Sequence, residues 1–342
     1  MAARTVVDIA RLAGVSRSTV SRVLNGHPNV SDDVRERVLK IIQKTGYQPN
    51  LAARSLRSKR SDIIGLVIPQ SVRGMFTDSY FLQFTEGIIH ASNEYNRTLA
   101  LFVESDERTL IPRVTRDGHM DGVVVQVATI ENQMLARLKA AGMPFVLAGR
   151  PYHPKGISYV DIDNVAGAYS AVAHLISLGH RRIAHVAGNL DTTAGLDRLQ
   201  GYRTALEDRG LKFDQGLVVE GSFTDMTSGY RAGQALASVK PEAVFAASDL
   251  MARGVIRAFA EAGLRVPEDV ALVGFDDLPP ATAAAPLLTT IRQPTYSLAM
   301  KCVQTLVDII EHGTEPPRQV VLDNLELVIR ESCGARLRER NN

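Results

Sequence analysis

The sequence predicts an α/β body of two doubly wound parallel-sheet subdomains, preceded by a small all-α head. Three observations predict it. Strand-length apolar runs alternate with helix-length amphipathic stretches from residue 61 onward, three short amphipathic helical patterns fill residues 6–45, and the two parts carry charge of opposite sign.

A chain of 342 residues exceeds one ordinary domain, and 45% hydrophobic with 22% charged residues excludes a mainly disordered chain. The longest apolar runs, such as 63–69, fall short of the roughly 20 residues a membrane-spanning helix needs. Met1-Ala2-Ala3-Arg4-Thr5 offers no apolar leader, which predicts a cytoplasmic protein. Cys302 and Cys333 lack CxxC or metal-ligand spacing, so two free thiols are expected rather than a disulfide framework.

The head, residues 1–47, is read element by element. Thr5 and Asp8 form a capping-box pattern, and Val6, Ile9, Ala10 and Ala13 line one face, so the first helix spans about 6–13. Gly14-Val15 turns the chain, Ser16 caps a second helix at about 17–24, and Val20, Val23 and Leu24 face inward. Asn25-Gly26 ends it. Ser31 is expected to cap a third helix, with Asp32 and Asp33 in its first turn and Val34, Val38, Ile41 and Ile42 closing a small core before Gly46. Two short helices joined by a glycine-containing turn match a helix-turn-helix headpiece, whose second helix enters the major groove.

Charge supports this assignment. Residues 1–60 hold twelve Lys/Arg against four acids, a net +8, while 61–342 hold 27 against 33, a net −6. A basic head on a mildly acidic body suits a chain whose head meets polyanion. With Val20, Val23 and Leu24 inward, Arg17, Ser18, Ser21 and Arg22 are left outside; an arginine fork reads the two acceptors of guanine and hydroxyls reach bases or phosphates. The flanking Thr5, Ser16, Thr19, Asn25 and Asn29 are expected to hold phosphates. A solvated polar face is the alternative reading of the same residues.

In the body, strands are expected at 63–68, 99–103, 122–127, 145–148, 183–187, 218–220, 243–247 and 270–274. Two subdomains with a seam near 159–164 and return crossings near 290–294 and 316–320 put the first subdomain at about 61–161 plus 292–319 and the second at about 162–291 plus 320–332. A ligand then belongs in the crevice beyond the strand C-termini. Residues 333–342 form a short polar tail without leucine heptads.

The head resembles that of the LacI/GalR family of bacterial transcription regulators, through the run Thr5-Val-Val-Asp8 to Leu24-Asn25-Gly26, Val30-Ser31, Arg35-Glu36-Arg37-Val38 and Gly46-Tyr47-Gln48-Pro49-Asn50 to Leu56. The resemblance implies that 48–60 is a hinge helix that forms on operator DNA and inserts a leucine, here Leu56, into the minor groove. Asn50, Ala53, Arg54 and Arg57 accompany it as DNA contacts. Pro49 suits a first helical position, Ala52 and Ala53 permit close helix approach, and an apolar wedge unstacks a base step. Off DNA, the same segment reads as a basic linker.

The body, 61–332, resembles the family's periplasmic-binding-protein-like effector domain through 179–184, 198–206, 248–252, 273–277 and 289–294. The resemblance implies an effector, most simply a sugar, held by Arg198 and Asp276 with Phe223 as an aromatic face; Gln70, Arg150 and Ser248 are further candidates. Charged partners and a ring suit a desolvated sugar. Ser248-Asp249 and Gly149-Arg150 depart from common family residues at those places. A salt bridge or helix cap is the structural alternative for each.

No dinucleotide, P-loop, zinc-protease or hydrolase motif occurs, so no catalytic residue, metal or cofactor is expected. The implied function is sequence-specific regulation, by a homodimer on an inverted-repeat, CpG-centred operator, of genes released by a sugar. A purine-type or partner-dependent regulator strengthened by its ligand is the alternative, with a solute-binding protein after it.

Overall fold

The computed structural model describes residues 5–335 apart from 25, 48–59, 70, 105, 117–118, 127–128 and 131–132. Helices α1 Val6–Ala13, α2 Arg17–Leu24 and α3 Asp32–Thr45 form the head, which is one unit, and residues 62–342 a second. The Thr5–Asp8 capping box is present, with the Thr5 amide donating to Asp8 Oδ2 at 2.9 Å. Gly14 and Gly46 end α1 and α3 in the left-handed conformation, which costs a residue without Cβ nothing sterically. Ser16 accepts from the Thr19 amide at 3.1 Å. Ser31 occupies the N-cap position of α3 without a side-chain cap bond, contrary to expectation, so Asp32 and Asp33 alone favour that terminus. Ile9, Ala13, Val20, Val23 and Val38 are buried together, and Val34, Ile41 and Ile42 pack around them.

The body holds two six-stranded sheets. In chain order its elements are β1 Ile63–Ile68, α4 Val72–Thr77, α5 Ser79–Glu94, β2 Thr98–Val103, α6 Glu107–Val114, β3 Gly122–Gln126, α7 Met134–Ala140, β4 Phe145–Ala148 and β5 Tyr159–Ile162. Then follow α8 Asn164–Ser177, β6 Ile183–Ala187, α9 Thr193–Glu207, β7 Val218–Glu220, α10 Met226–Val239, β8 Ala243–Ala246, α11 Asp249–Glu261, β9 Ala271–Asp276, β10 Thr289–Arg292, α12 Thr295–His312, β11 Gln319–Leu322 and β12 Glu326–Val328. The first sheet runs β11-β5-β4-β3-β1-β2, all parallel. The second runs β12-β10-β9-β8-β6-β7 and is parallel except for β12 against β10.

The inner strands are apolar at nearly every position because helices cover both sheet faces; β3 is buried at all five residues. Phe84 and Ile88 of α5 and Leu298, Cys302 and Leu306 of α12 close the first core. Cys302 and Cys333 are buried free thiols.

The chain crosses between sheets three times. It leaves the first sheet after Ile162 and returns after Arg292, and the third crossing falls at 323–325, not at 316–320 as expected. Residues 320–322 therefore stay in the first sheet, where Val320 and Leu322 pack on the first core as β11 pairs in parallel with β5. Among the described residues no helix is long and apolar enough to cross a membrane.

Candidate functional site

On α2, Arg17, Ser18 and Arg22 are exposed and Ser21 is half-buried, while Val20 and Val23 fill the core side. The face left outward by burial is thus the one that carries the arginines and hydroxyls. Ser16 Oγ lies 2.7 Å from Ser18 Oγ and 2.8 Å from Thr19 Oγ1, a hydroxyl cluster at the N-terminus of α2, where backbone amides face outward and favour an anion. Thr5 is exposed but engaged with Asp8, and the Asn29 amide donates to His27 Nδ1 at 3.3 Å. Asn25, Asn50, Ala53, Arg54, Leu56, Arg57 and Gln70 lie outside the described residues, as do nearly all of 48–60 and the tail from 336.

In the body, the C-terminal ends of both sheets open onto one crevice enclosing about 210 Å³. Arg198, on α9, is buried at its centre. Its Nε donates to Asn164 Oδ1 at 2.9 Å, and its Nη1 donates to the Ala247 carbonyl at 2.5 Å and to Asp276 Oδ1 at 3.4 Å. The guanidinium carbon lies 3.7 Å from the Phe275 ring centre and 5.0 Å from that of Phe223, a cation–π pair of contacts that fixes its plane.

Asp276 ends β9 with φ at 121°, a strained conformation for a residue with a side chain. That strain sits where the carboxylate meets the crevice, and Gln293 Nε2 donates to its Oδ1 at 2.7 Å. Burial pushes the Asp276 carboxyl well above the ordinary carboxylate range, opposed by Arg198. The next residue, Asp277, is structural: it pairs with Arg292 at 2.8 Å and Arg330 at 2.6 Å.

Phe223 presents its ring to the crevice because its backbone is held at both polar atoms. Its amide donates to Asn189 Oδ1 at 3.1 Å, and its carbonyl accepts from Ser248 Oγ at 3.1 Å. Ser248 itself does not line the crevice. Its hydroxyl caps α11, accepting from the Met251 amide at 3.2 Å, and through the Phe223 carbonyl it steadies that ring. Its neighbour Asp249 does reach the crevice, accepting from Thr290 Oγ1 at 2.6 Å and from the Leu278 amide at 3.1 Å.

Arg150 lines the crevice from the first subdomain. Its amide donates to Asp161 Oδ2 at 3.0 Å, its carbonyl accepts from the Thr193 hydroxyl, and its Nη2 pairs with both oxygens of Asp197 at 2.7 and 2.8 Å. Burial pushes Asp161 up to about 6 and Asp249 up to about 7.

Several crevice groups had no sequence signal. Asp78 caps α5 by accepting from the Tyr80 amide at 2.9 Å, and Tyr80 and Gln126 line the same end. Gln126 is wholly buried, with its side chain against that of Tyr80. Gln126 ends an apolar strand, and that break in the run was the one available hint.

Comparisons with known proteins agree with this fold. Residues 5–50 match the family described as bacterial regulatory proteins, lacI family, and residues 172–333 match a periplasmic binding protein-like domain. The chain is 40% identical to the HTH-type transcriptional regulator CelR of Thermobifida fusca over 334 residues, covering 96% of this chain and 98% of that protein. It is 34% identical to the catabolite control protein A of Priestia megaterium, over 91% of this chain and 93% of that protein. Among solved structures it is similar to the transcriptional regulator CelR–cellobiose complex, with a TM-score of 0.77, 38% identity and 96% and 99% of the two chains covered. It is also similar to the lac repressor dimer bound to operator and an anti-inducer, with a TM-score of 0.82, 26% identity and 97% and 99% covered.

Proposed function

Because this chain belongs to the LacI family of bacterial transcription regulators, we propose that it is a cytoplasmic homodimeric repressor of carbohydrate-utilisation genes, released from its operator by a sugar. The observation that carries this reading is the buried Arg198, held between two aromatic rings and Asp276 at the mouth of both sheets. A planar donor fork beside a carboxylate and a ring is what sugar hydroxyls and C–H faces require once water is removed. Similarity to a regulator solved with cellobiose supports a disaccharide as the first effector to try. The role involves no catalysis.

On DNA, Arg17, Ser18, Ser21 and Arg22 read base edges, and Thr5, Ser16, Thr19, Asn25 and Asn29 hold phosphates. Two heads related by a two-fold axis require an inverted repeat, and similarity to a lac repressor dimer bound to operator supports that assembly. Leu56 wedges the central CpG step, flanked by Asn50, Ala53, Arg54 and Arg57. Gln70, Arg150 and Phe223 complete the effector contacts around Arg198 and Asp276. Effector binding shifts the angle between subdomains and so the presentation of the two hinges, a reciprocal coupling of about 1–3 kcal/mol.

The test is a fluorescence-anisotropy titration on a duplex selected from a random pool, at fixed salt, repeated with mono- and disaccharides and purines. Tight selective binding relieved by one sugar supports the reading. Binding strengthened by a ligand moves it to corepression, and failure to select any duplex rejects the regulator role.

A further inference from the structure

The body begins at Asp62, one residue before β1, and the segment 48–60 that carries the proposed linker contacts to DNA reaches it through Ser61. Asp62 has φ at 57°, in the left-handed region, which a residue with a side chain keeps where its surroundings over-determine it. Its amide, carbonyl and carboxylate are all held. The amide donates to Asp121 Oδ2 at 3.0 Å, the carbonyl accepts from the Thr98 amide at 2.9 Å, and the carboxylate accepts from Arg97 Nη1 at 2.8 Å. The next carbonyl, that of Ile63, accepts from the Asp121 amide at 2.8 Å, so the chain is fixed on both sides as β1 starts between β2 and β3.

Arg97 stands at the centre of this arrangement. Its backbone is set by the turn from α5 to β2, where its amide donates to the Ser92 carbonyl at 2.8 Å. Its side chain is only 8% exposed and meets carboxylates from three separate parts of the chain: Asp62 at 2.8 Å, Asp121 just before β3 at 3.2 Å, and Glu311 near the end of α12 at 3.4 Å. A planar guanidinium serves several acceptors at fixed angles, which an ammonium does not. Taking Arg97 and Asp121 out of water is costly, and ion pairs buried in this way are often no more stabilising than apolar residues of similar volume. What the cluster supplies is a fixed geometry at the covalent joint between the DNA-binding segment and the body.

We propose that Arg97 is a positioning residue for operator binding: through Asp62 and Asp121 it fixes the direction in which the linker leaves the body. The inference rests on the regulator reading above and adds to it the residues that make the joint stiff. Two heads must reach two half-sites at a set spacing, and each residue at the joint that rotates freely lowers the effective concentration of the second head at its half-site. Contact with phosphates alone makes no such geometric demand. A loosened joint therefore weakens specific binding and leaves non-specific binding nearly unchanged.

The experiment is a fluorescence-anisotropy titration of the full chain on its selected duplex and on a scrambled duplex of the same length, at fixed salt. It compares the wild type with Asp62→Gly, Asp62→Asn and Arg97→Gln, with thermal unfolding of each variant measured alongside. Glycine takes the left-handed conformation without steric cost and removes the carboxylate tether while Arg97 keeps Asp121; asparagine also tolerates that conformation and keeps an acceptor for Arg97. Losing the Asp62 charge makes the chain less negative, so electrostatics alone would tighten binding to both duplexes. Positioning has the opposite sign. Asp62→Gly and Arg97→Gln should weaken the selected duplex at least about tenfold and the scrambled duplex less than about twofold, while Asp62→Asn should stay within about threefold of the wild type. Arg97→Gln removes the countercharge of buried Asp121, so if that variant does not fold, Asp62→Gly decides. Equal weakening on both duplexes, an Asp62→Gly chain that binds as tightly as the wild type or tighter, or an Asp62→Asn chain as weak as Asp62→Gly overturns the inference and leaves the regulator reading intact. Selection of no duplex by the wild type overturns both.

Discussion

Arg150, just beyond β4 in the first subdomain, pairs with Asp197 on α9 of the second at 2.7 Å, so a salt bridge spans the mouth of the crevice. The Ile130 amide, donating to the Asp191 carbonyl at 2.7 Å, and the Thr193 hydroxyl, donating to the Arg150 carbonyl, join the same rim. Opening of the crevice must break these three contacts along this edge. An ion pair that resists opening holds the two subdomains together along this edge.

Removing either partner should therefore loosen the rim without unfolding the chain. Arg150→Ala and Asp197→Ala should each weaken sugar binding about three- to tenfold. Their double-mutant coupling should be about 1 kcal/mol, near the upper end for a partly exposed pair. Calorimetry on the singles and the double variant measures it, and additive losses would reduce the pair to a surface ornament.

Gly188 leaves the room in which the Phe223 ring sits: a Cβ there would lie 2.1 Å from the ring carbons. Gly188→Ala should displace the ring from the crevice and weaken sugar binding by about 1 kcal/mol or more, at the low end of what an aromatic contact with a guanidinium and a sugar face contributes. DNA binding without sugar should stay close to wild type. Unchanged sugar affinity would show that the ring is not part of the ligand surface.

Asp249 gives the body a pH dependence of definite sign. Burial raises its folded-state value to about 7 from an ordinary 3.8, so the folded chain holds a proton the unfolded chain has released. Stability from this group is present below about pH 4 and is lost as pH rises through 7. Asp249→Asn, which sets an amide donor against the donating Leu278 amide or Thr290 hydroxyl, should destabilise by about 1–3 kcal/mol at pH 5.5 and by less at pH 8. Urea unfolding at both pH values reads the difference, and a penalty that did not shrink with pH would refute the assignment.

In the head, Arg17 is exposed at the first position of α2 and carries the prediction about sequence reading. Arg17→Ala should change which bases a selection from random duplexes recovers, costing about 1–3 kcal/mol at one position of each half-site. A uniform loss across sequences, with a shallower salt dependence, would make it a phosphate contact instead.

Thr5 tests the cap that starts α1. Thr5→Ala removes the acceptor for the Asp8 amide and one partner of its carboxylate, and should cost the head about 1 kcal/mol in thermal unfolding. Thr5→Ser, which restores the hydroxyl, should recover most of it.

The sequence by itself determined all three helices of the head, because each signal there is local: a Thr–Asp box, two glycines and an apolar stripe spaced at 3.6 residues. It also determined the parallel class of the body, since strands covered on both faces read as unbroken apolar runs. Weaker strands escaped it. β11, half-exposed along its length with only Val320 and Leu322 inward, has too little apolar density to mark itself as the edge of the first sheet, which moved the third crossing by several residues.

Only the tertiary structure decided the crevice. Arg198 and Asp276 were legible as charged residues in fragments typical of the family, but their partners come from elements far apart in the chain: Asn164, Phe223, Ala247 and Gln293. Which of two neighbours faces the cavity follows from helix geometry, as the cap position turns Ser248 toward the backbone of Phe223 and Asp249 toward the cavity. Asp78, Gln126 and the Arg150–Asp197 bridge belong to the same class. Their roles arise from what the folded chain sets opposite them, and sequence periodicity carries no record of that.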